Sequence, residues 1–145
     1  MSNTEIIIAA AQRTPLGAFQ GVFTPVSAPA LGAAALKGAL EAAAVAPADV
    51  EEVILGCVLP AGLGQAPARQ AAIAAGVPLA TPATTVNKMC GSGLKTVMMA
   101  ADQIRAGSAQ IAATFITIFE NGLIPRVTAE AARRTGGAVA GRARR

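Results

Sequence analysis

The chain has 145 residues, 53% of them hydrophobic and only 14% charged, which suits one core-rich domain of ordinary size and excludes a disordered polymer. It contains no Trp, Tyr or His, so no imidazole of this chain can act as a base. The formal charge of +4 belongs to the last twenty residues, where six Arg stand against Glu130, while residues 1–125 carry six basic and seven acidic side chains; with no aromatics between those arginines, the pattern is not that of a nucleic-acid surface.

Residues 5–11 form an unbroken apolar run led by three isoleucines, which predicts a strand buried on both faces, as in a parallel sheet. Breaker residues at 12–17 end it, and Arg13 among them reads as an exposed loop arginine. Ser27 is placed to cap a helix that has Pro29 in its first turn and runs to about Ala44, with Leu36 and Leu40 on its apolar face. Residues 46–49 turn the chain into a second buried strand, 53–59, where Cys57 reads as core packing. A glycine loop at 60–65 leads to a short helix, 67–75, that starts with Pro and stops at Gly76.

A strand at 83–86 then runs into a helix that ends at Gly107, with Leu94, Val97, Met98, Ala101 and Ile104 on one face and little polar surface elsewhere. Such a helix is expected to be buried nearly all round. Residues 110–119 read as a fourth strand. The alternation of strands and helices predicts an α/β fold with parallel neighbours, in which ligands sit beyond the carboxyl ends of the strands.

Cys90 stands at the junction between the strand at 83–86 and the helix after it, followed by Gly91 and Gly93. The first N–H groups of a helix lack partners and its dipole favours negative charge there, which suits the thiolate form of a nucleophile. The same N–H groups could hold an oxyanion if the sulfur attacked a carbonyl. Residue chemistry thus proposes a cysteine nucleophile for acyl transfer, against the plainer reading of a small buried hydrophobe. Phosphate-loop and dinucleotide patterns both fail here, because Leu94 precedes Lys95 and Thr96 occupies the place of a third glycine.

Two cysteines, Cys57 and Cys90, are too few for a disulfide framework and suit a reducing compartment. Glu5 precedes the isoleucines with no basic region before them, and the apolar run at 111–119 is far short of a membrane span. A cytoplasmic protein without a membrane partner is the expectation.

Four stretches together resemble the N-terminal half of a thiolase, the family of acetyl-CoA acetyltransferases and 3-ketoacyl-CoA thiolases. They are Ala-Ala-Gln-Arg-Thr-Pro-Leu-Gly at 10–17, the run at 53–72, Pro-Ala-Thr-Thr-Val-Asn-Lys-Met-Cys-Gly-Ser-Gly-Leu-Lys at 82–95, and Ala-Asp-Gln-Ile-Arg-Ala-Gly at 101–107. The resemblance implies a thiolase-like α/β half-fold, with a mixed, mostly parallel sheet and a buried helix after the nucleophilic cysteine, incomplete relative to the full fold. It implies that Cys90 attacks an acyl-CoA thioester, is acylated, and passes the acyl group on, with backbone N–H groups holding the oxyanion. Coenzyme A thioester is then a substrate, and neither a bound cofactor nor a metal is implied. The implied partner is a second copy, in a dimer or tetramer, or a complementary half in trans. In the family pattern the place of Cys57 usually holds Asn, which fits a non-catalytic role for it.

Beyond residue 113 the pattern departs. The family continues with a Gly-Gly-Met-Glu-Ser-Met-Ser-type segment, whereas this chain reads Thr114-Phe115-Ile116-Thr117-Ile118-Phe119 and then an Arg/Ala/Gly-rich tail. The family's His, Asn and second Cys fall in its other half and have no counterpart here. The expected organisation is a partial thiolase-like domain at 1–113 and a divergent segment at 114–145 with a flexible Arg-rich tail. That segment reads either as a frameshifted or recombined extension of a truncated gene or as a naturally short end with a helix at 128–134. Three functional readings follow: an acyltransferase represented by its nucleophile-bearing half, a catalytically dead remnant, and a partner-binding half-subunit.

Overall fold

The chain folds as β1 (Ile6–Ile8), α1 (Ala28–Ala43), a 3-10 turn (Pro47–Asp49), β2 (Glu52–Cys57), α2 (Pro67–Ala74), β3 (Ala83–Val86), α3 (Ser92–Ala106), β4 (Ile111–Thr117) and β5 (Ala129–Arg133). This is a computed structural model, and it describes residues 5–117 and 129–133. The five strands form one sheet in the order β1-β5-β4-β2-β3. The strands β3, β2 and β4 run parallel, and β5 lies antiparallel to both β4 and β1.

Every residue of β2 is buried. Its side chains alternate between the two faces of the sheet, as the strand period of two requires. Val53, Leu55 and Cys57 join Leu36, Leu40, Ala68, Ala71 and Ala72 in the core under α1 and α2. Ile54 points the other way, to a second core with Ala100 and Ile104 of α3 and Ala112 of β4. The result is three layers: α1 with α2, the sheet, and α3.

The helices start and stop where local chemistry allows. Ser27 caps α1 by accepting a hydrogen bond from the Ala30 N–H at 3.4 Å, with Pro29 in the first turn. Ala66 gives α2 no side-chain cap; instead Thr85 of β3 reaches across and accepts the Ala68 N–H at 3.1 Å. Arg69 of α2 donates to the backbone carbonyls of Leu79 and Thr81, tying that helix to the approach of β3. Gly107 ends α3 in the left-handed region at φ 76°, which glycine adopts without strain.

Four expectations need correction. The strand predicted at 5–11 is the short β1, and it is an edge strand paired antiparallel with β5; Ile8 is 61% exposed, so it is not buried on both faces. The second strand ends at Cys57 and not at residue 59. The helix predicted at 128–134 is replaced by the strand β5, whose backbone pairs with β1 on one side and β4 on the other. Finally, α3 is not buried all round: its buried residues are Ser92, Thr96, Ala100 and Ile104, while Leu94 is 69% and Met98 51% exposed. The sheet takes the face that begins with the small residues Ser92, Thr96 and Ala100 and ends with Ile104. Of the expected apolar stripe only Ile104 is fully buried; Val97 and Ala101 are half-buried, and Leu94 and Met98 turn outward. The expected flexibility at 134–145 lies outside the described residues.

Candidate functional site

Cys90 is exposed, in the turn that joins the carboxyl end of β3 to the start of α3, one residue before the helix N-cap, Gly91. Cys57, by contrast, is buried within β2. Arg13 is an exposed loop residue whose guanidinium donates to the Thr14 carbonyl at 3.1 Å.

The turn that carries Cys90 is held by its own polar groups. Asn87 Nδ2 donates to the carbonyl of Val58, just past β2, at 3.0 Å. Its Oδ1 accepts the Met89 N–H at 3.0 Å, so one side chain fastens the turn and links it to the neighbouring strand. Ser92 Oγ accepts the Lys88 N–H at 2.9 Å and donates to the Met89 carbonyl at 2.6 Å. Met89 is driven into the left-handed region at φ 46°, a conformation that costs a residue with a Cβ about 1–2 kcal/mol. Hydrogen bonds on both sides of Met89 hold it there.

The helix start offers fewer free donors than its position alone suggests. The Gly91 N–H is taken by the Lys88 carbonyl and the Ser92 N–H by the Met89 carbonyl, both at 3.0 Å, and the Lys95 N–H makes the first helical bond, to Gly91 O at 2.9 Å. The positive end of the α3 dipole still faces the turn.

The closest backbone approach at the start of α3 is to Gly56 of β2, and it is not made through Gly91. A Cβ added to Gly91 would meet only the Lys88 carbonyl oxygen, at 3.4 Å. A Cβ added to Gly56 of β2 would lie 2.9 Å from the Ser92 carbonyl carbon and 3.0 Å from its Cβ. Strand alternation places Gly56 on the same face as Ile54, towards α3, so the start of the helix sits directly on the bare strand. Gly56, Asn87 and Ser92 are therefore the residues that the sequence reading passes over. A glycine inside an otherwise apolar strand is the signal that marks such an approach.

Two other features lie elsewhere. A hollow of about 510 Å³, bordered by Lys37, Glu41 and Pro47, sits among the elements that lead into the amino ends of the strands, at the opposite end of the sheet from Cys90. Burial raises the Glu52 carboxyl above the usual carboxylate range, partly offset by a hydrogen bond from Thr84. Glu52 begins β2, so it too is remote from the cysteine turn. Among the described residues, no group of three or more His, Cys, Asp and Glu side chains is gathered as a metal site would need, and no helix is long and apolar enough to cross a membrane.

A sequence model of the family described as "Thiolase, N-terminal domain" matches residues 6–114. The chain belongs to the thiolase family. It is 56% identical over 108 residues to an acetyl-CoA acetyltransferase of Cupriavidus necator, covering 74% of this chain and 28% of that protein. It is 50% identical over 111 residues to an acetyl-CoA acetyltransferase of Schizosaccharomyces pombe, covering 77% of this chain and 28% of that one. Among solved structures it is similar to the Acat5 thiolase from Ascaris suum in complex with coenzyme A, with a TM-score of 0.76 and 37% identity, over 77% of this chain and 29% of that chain. The chain thus spans under a third of the length of these thiolases. The part it does span has the thiolase N-terminal fold, as the family resemblance implies.

Proposed function

We propose that this chain is the nucleophile-bearing part of an acyltransferase of the thiolase type. The Cys90 sulfur attacks the carbonyl carbon of an acyl-CoA thioester, forming an S-acyl bond. The carbon–sulfur bond to coenzyme A breaks, and coenzyme A leaves as a thiolate that takes up the proton the thiol gave up. In synthesis the acyl group then passes to the carbanion of a second acetyl-CoA, giving acetoacetyl-CoA. In thiolysis of a 3-ketoacyl-CoA the sulfur attacks the 3-keto carbonyl instead, and the bond between C2 and C3 breaks. Acetyl-CoA leaves as its carbanion and takes up the proton, and the acyl group passes to coenzyme A. The observation that carries this reading is the exposed thiol in a pinned strand-to-helix turn, inside the segment that the thiolase relatives share.

Without a histidine the chain has no imidazole to activate that thiol, so its turnover alone is negligible while slow single acylation survives. One observation also favours a half-subunit that binds a partner. Met89 in the cysteine turn and Leu94 and Met98 along α3 expose apolar side chains, a surface suited to a complementary thiolase half or a second copy. The end of the family match at residue 114 supports a division into a thiolase-like domain at 1–113 and a divergent segment at 114–145. A cytoplasmic setting and a dimeric or tetrameric assembly complete the proposal.

Incubation with acetyl-CoA, and separately with iodoacetamide, followed by peptide mass spectrometry, tests it. Modification of Cys90 with Cys57 untouched is the expected result. Equal labelling of both cysteines, or of neither in the folded protein, would instead identify a catalytically dead remnant.

A further inference from the structure

The Ser92 side chain is fully buried. Both of its hydrogen bonds run backwards, to Lys88 and Met89, on the far side of Cys90. It thereby closes a ring of backbone around the cysteine: the Lys88 N–H enters the hydroxyl oxygen, and the hydroxyl proton goes to the carbonyl of strained Met89. The ring can form only if the start of α3 drops onto β2, and Gly56 leaves the space for it, since a Cβ there would sit 2.9 Å from the Ser92 backbone. One turn further along, Thr96 is as deeply buried on the same face, but its hydroxyl merely donates to the Gly93 carbonyl of its own helix at 2.7 Å. The two hydroxyls share burial and differ in what they hold.

We infer that Ser92 is a positioning residue for Cys90, with Gly56 as the seat that lets it work. The inference rests on the reading of Cys90 as an acyl-accepting nucleophile, because only that reading makes the placement of this sulfur matter to chemistry. Loss of the hydroxyl frees the Lys88 N–H and leaves the Met89 carbonyl with only the Ser92 backbone N–H, which loosens Met89 in the left-handed region and releases the sulfur from its place before the helix.

The test compares the full chain with Ser92→Ala, Gly56→Ala and Thr96→Val. Three quantities are read: the iodoacetamide rate at Cys90 at pH 7, hydrogen exchange at the Lys88 amide, and labelling of Cys57. Ser92→Ala is expected to speed Lys88 exchange about five- to tenfold, the loss of one hydrogen bond, and to slow Cys90 alkylation about threefold or more, with Cys57 still protected. Gly56→Ala should act in the same direction. Thr96→Val should leave both the Cys90 rate and the Lys88 exchange as in the parent, whatever it does to the melting temperature. Equal effects of Ser92→Ala and Thr96→Val on Cys90, or none from Ser92→Ala, would overturn the inference. Incubating the unsubstituted chain with acetyl-CoA reports separately on the acyl-transfer reading: an unacetylated Cys90 there, with alkylation still dependent on Ser92, defeats that reading and leaves Ser92 as the residue that orders the turn.

Discussion

Asn87 Nδ2 donates to the Val58 carbonyl across 3.0 Å, joining the turn after β3 to the segment after β2. The two strands run parallel with Gly56 opposite Val86, so this bond prolongs their pairing by one side chain beyond the last rung. Asn87→Ala removes both this bond and the one to the Met89 N–H. Because Asn87 is exposed, water replaces part of the loss, and the expected destabilisation is about 0.5–1.5 kcal/mol by denaturant unfolding. Exchange of the Met89 amide should rise with it.

Met89 is exposed and sits at φ 46°, so its substitutions separate backbone strain from packing. Met89→Gly relieves the left-handed cost while adding chain entropy to the unfolded state, and the two effects nearly cancel. Its stability should fall within about 1 kcal/mol of the parent. Met89→Val places a β-branched side chain in the same conformation and should lose about 1–2 kcal/mol. A Met89→Val protein as stable as Met89→Gly would show that the turn relaxes to another shape.

Glu52 gives a pH dependence whose sign is fixed by its burial. Its carboxyl is raised in the folded chain, so the folded state holds the proton to higher pH than the unfolded chain does. The buried carboxylate therefore reduces stability at neutral pH, and that penalty disappears as pH falls through the raised value. Glu52→Gln, which can still accept from Thr84, should unfold at higher denaturant than the parent at pH 7. The gap should narrow as the pH is lowered through the carboxyl range.

Gln103 Oε1 is buried with no hydrogen-bond partner among the described residues. An unpaired buried acceptor loses its water without compensation. Gln103→Met keeps the length of the side chain and removes that oxygen, so it should stabilise the protein by about 0.5–1.5 kcal/mol in thermal unfolding.

Leu94 and Met98 stand one helical turn apart on the exposed face of α3. Changing both to Glu should alter monomer stability by no more than about 0.5 kcal/mol for each residue, as expected of surface positions. It should nevertheless reduce concentration-dependent association in sedimentation velocity. Ile104, at the fully buried edge of the same helix, provides the contrast: Ile104→Ala should cost about 2–5 kcal/mol.

These contrasts show where the sequence could be read. The bounds of α1, α2 and β3 and the stop at Gly107 were legible because local signals set them: the Ser27 cap, the prolines at helix starts and a glycine able to take positive φ. The site turn was legible for the same reason, as a β-branched strand running into a helix around Cys90. What escaped was set by partners distant in sequence. The Ala-Glu-Ala-Ala-Arg segment of β5 has helical propensity, yet its backbone completes the ladder between β1 and β4. The inward face of α3 was chosen by the bare backbone at Gly56, and not by the hydrophobicity of Leu94 and Met98. Periodicity reports that a helix has an apolar stripe but not which layer meets it.

The contrast between the two sulfurs has a practical outcome. Cys90 is open to solvent and Cys57 is enclosed, so oxidation can link one molecule to one other and then has no further thiol to use. A sample aged in air and run on a gel without reductant should therefore show a single band of doubled mass above the original, never a ladder.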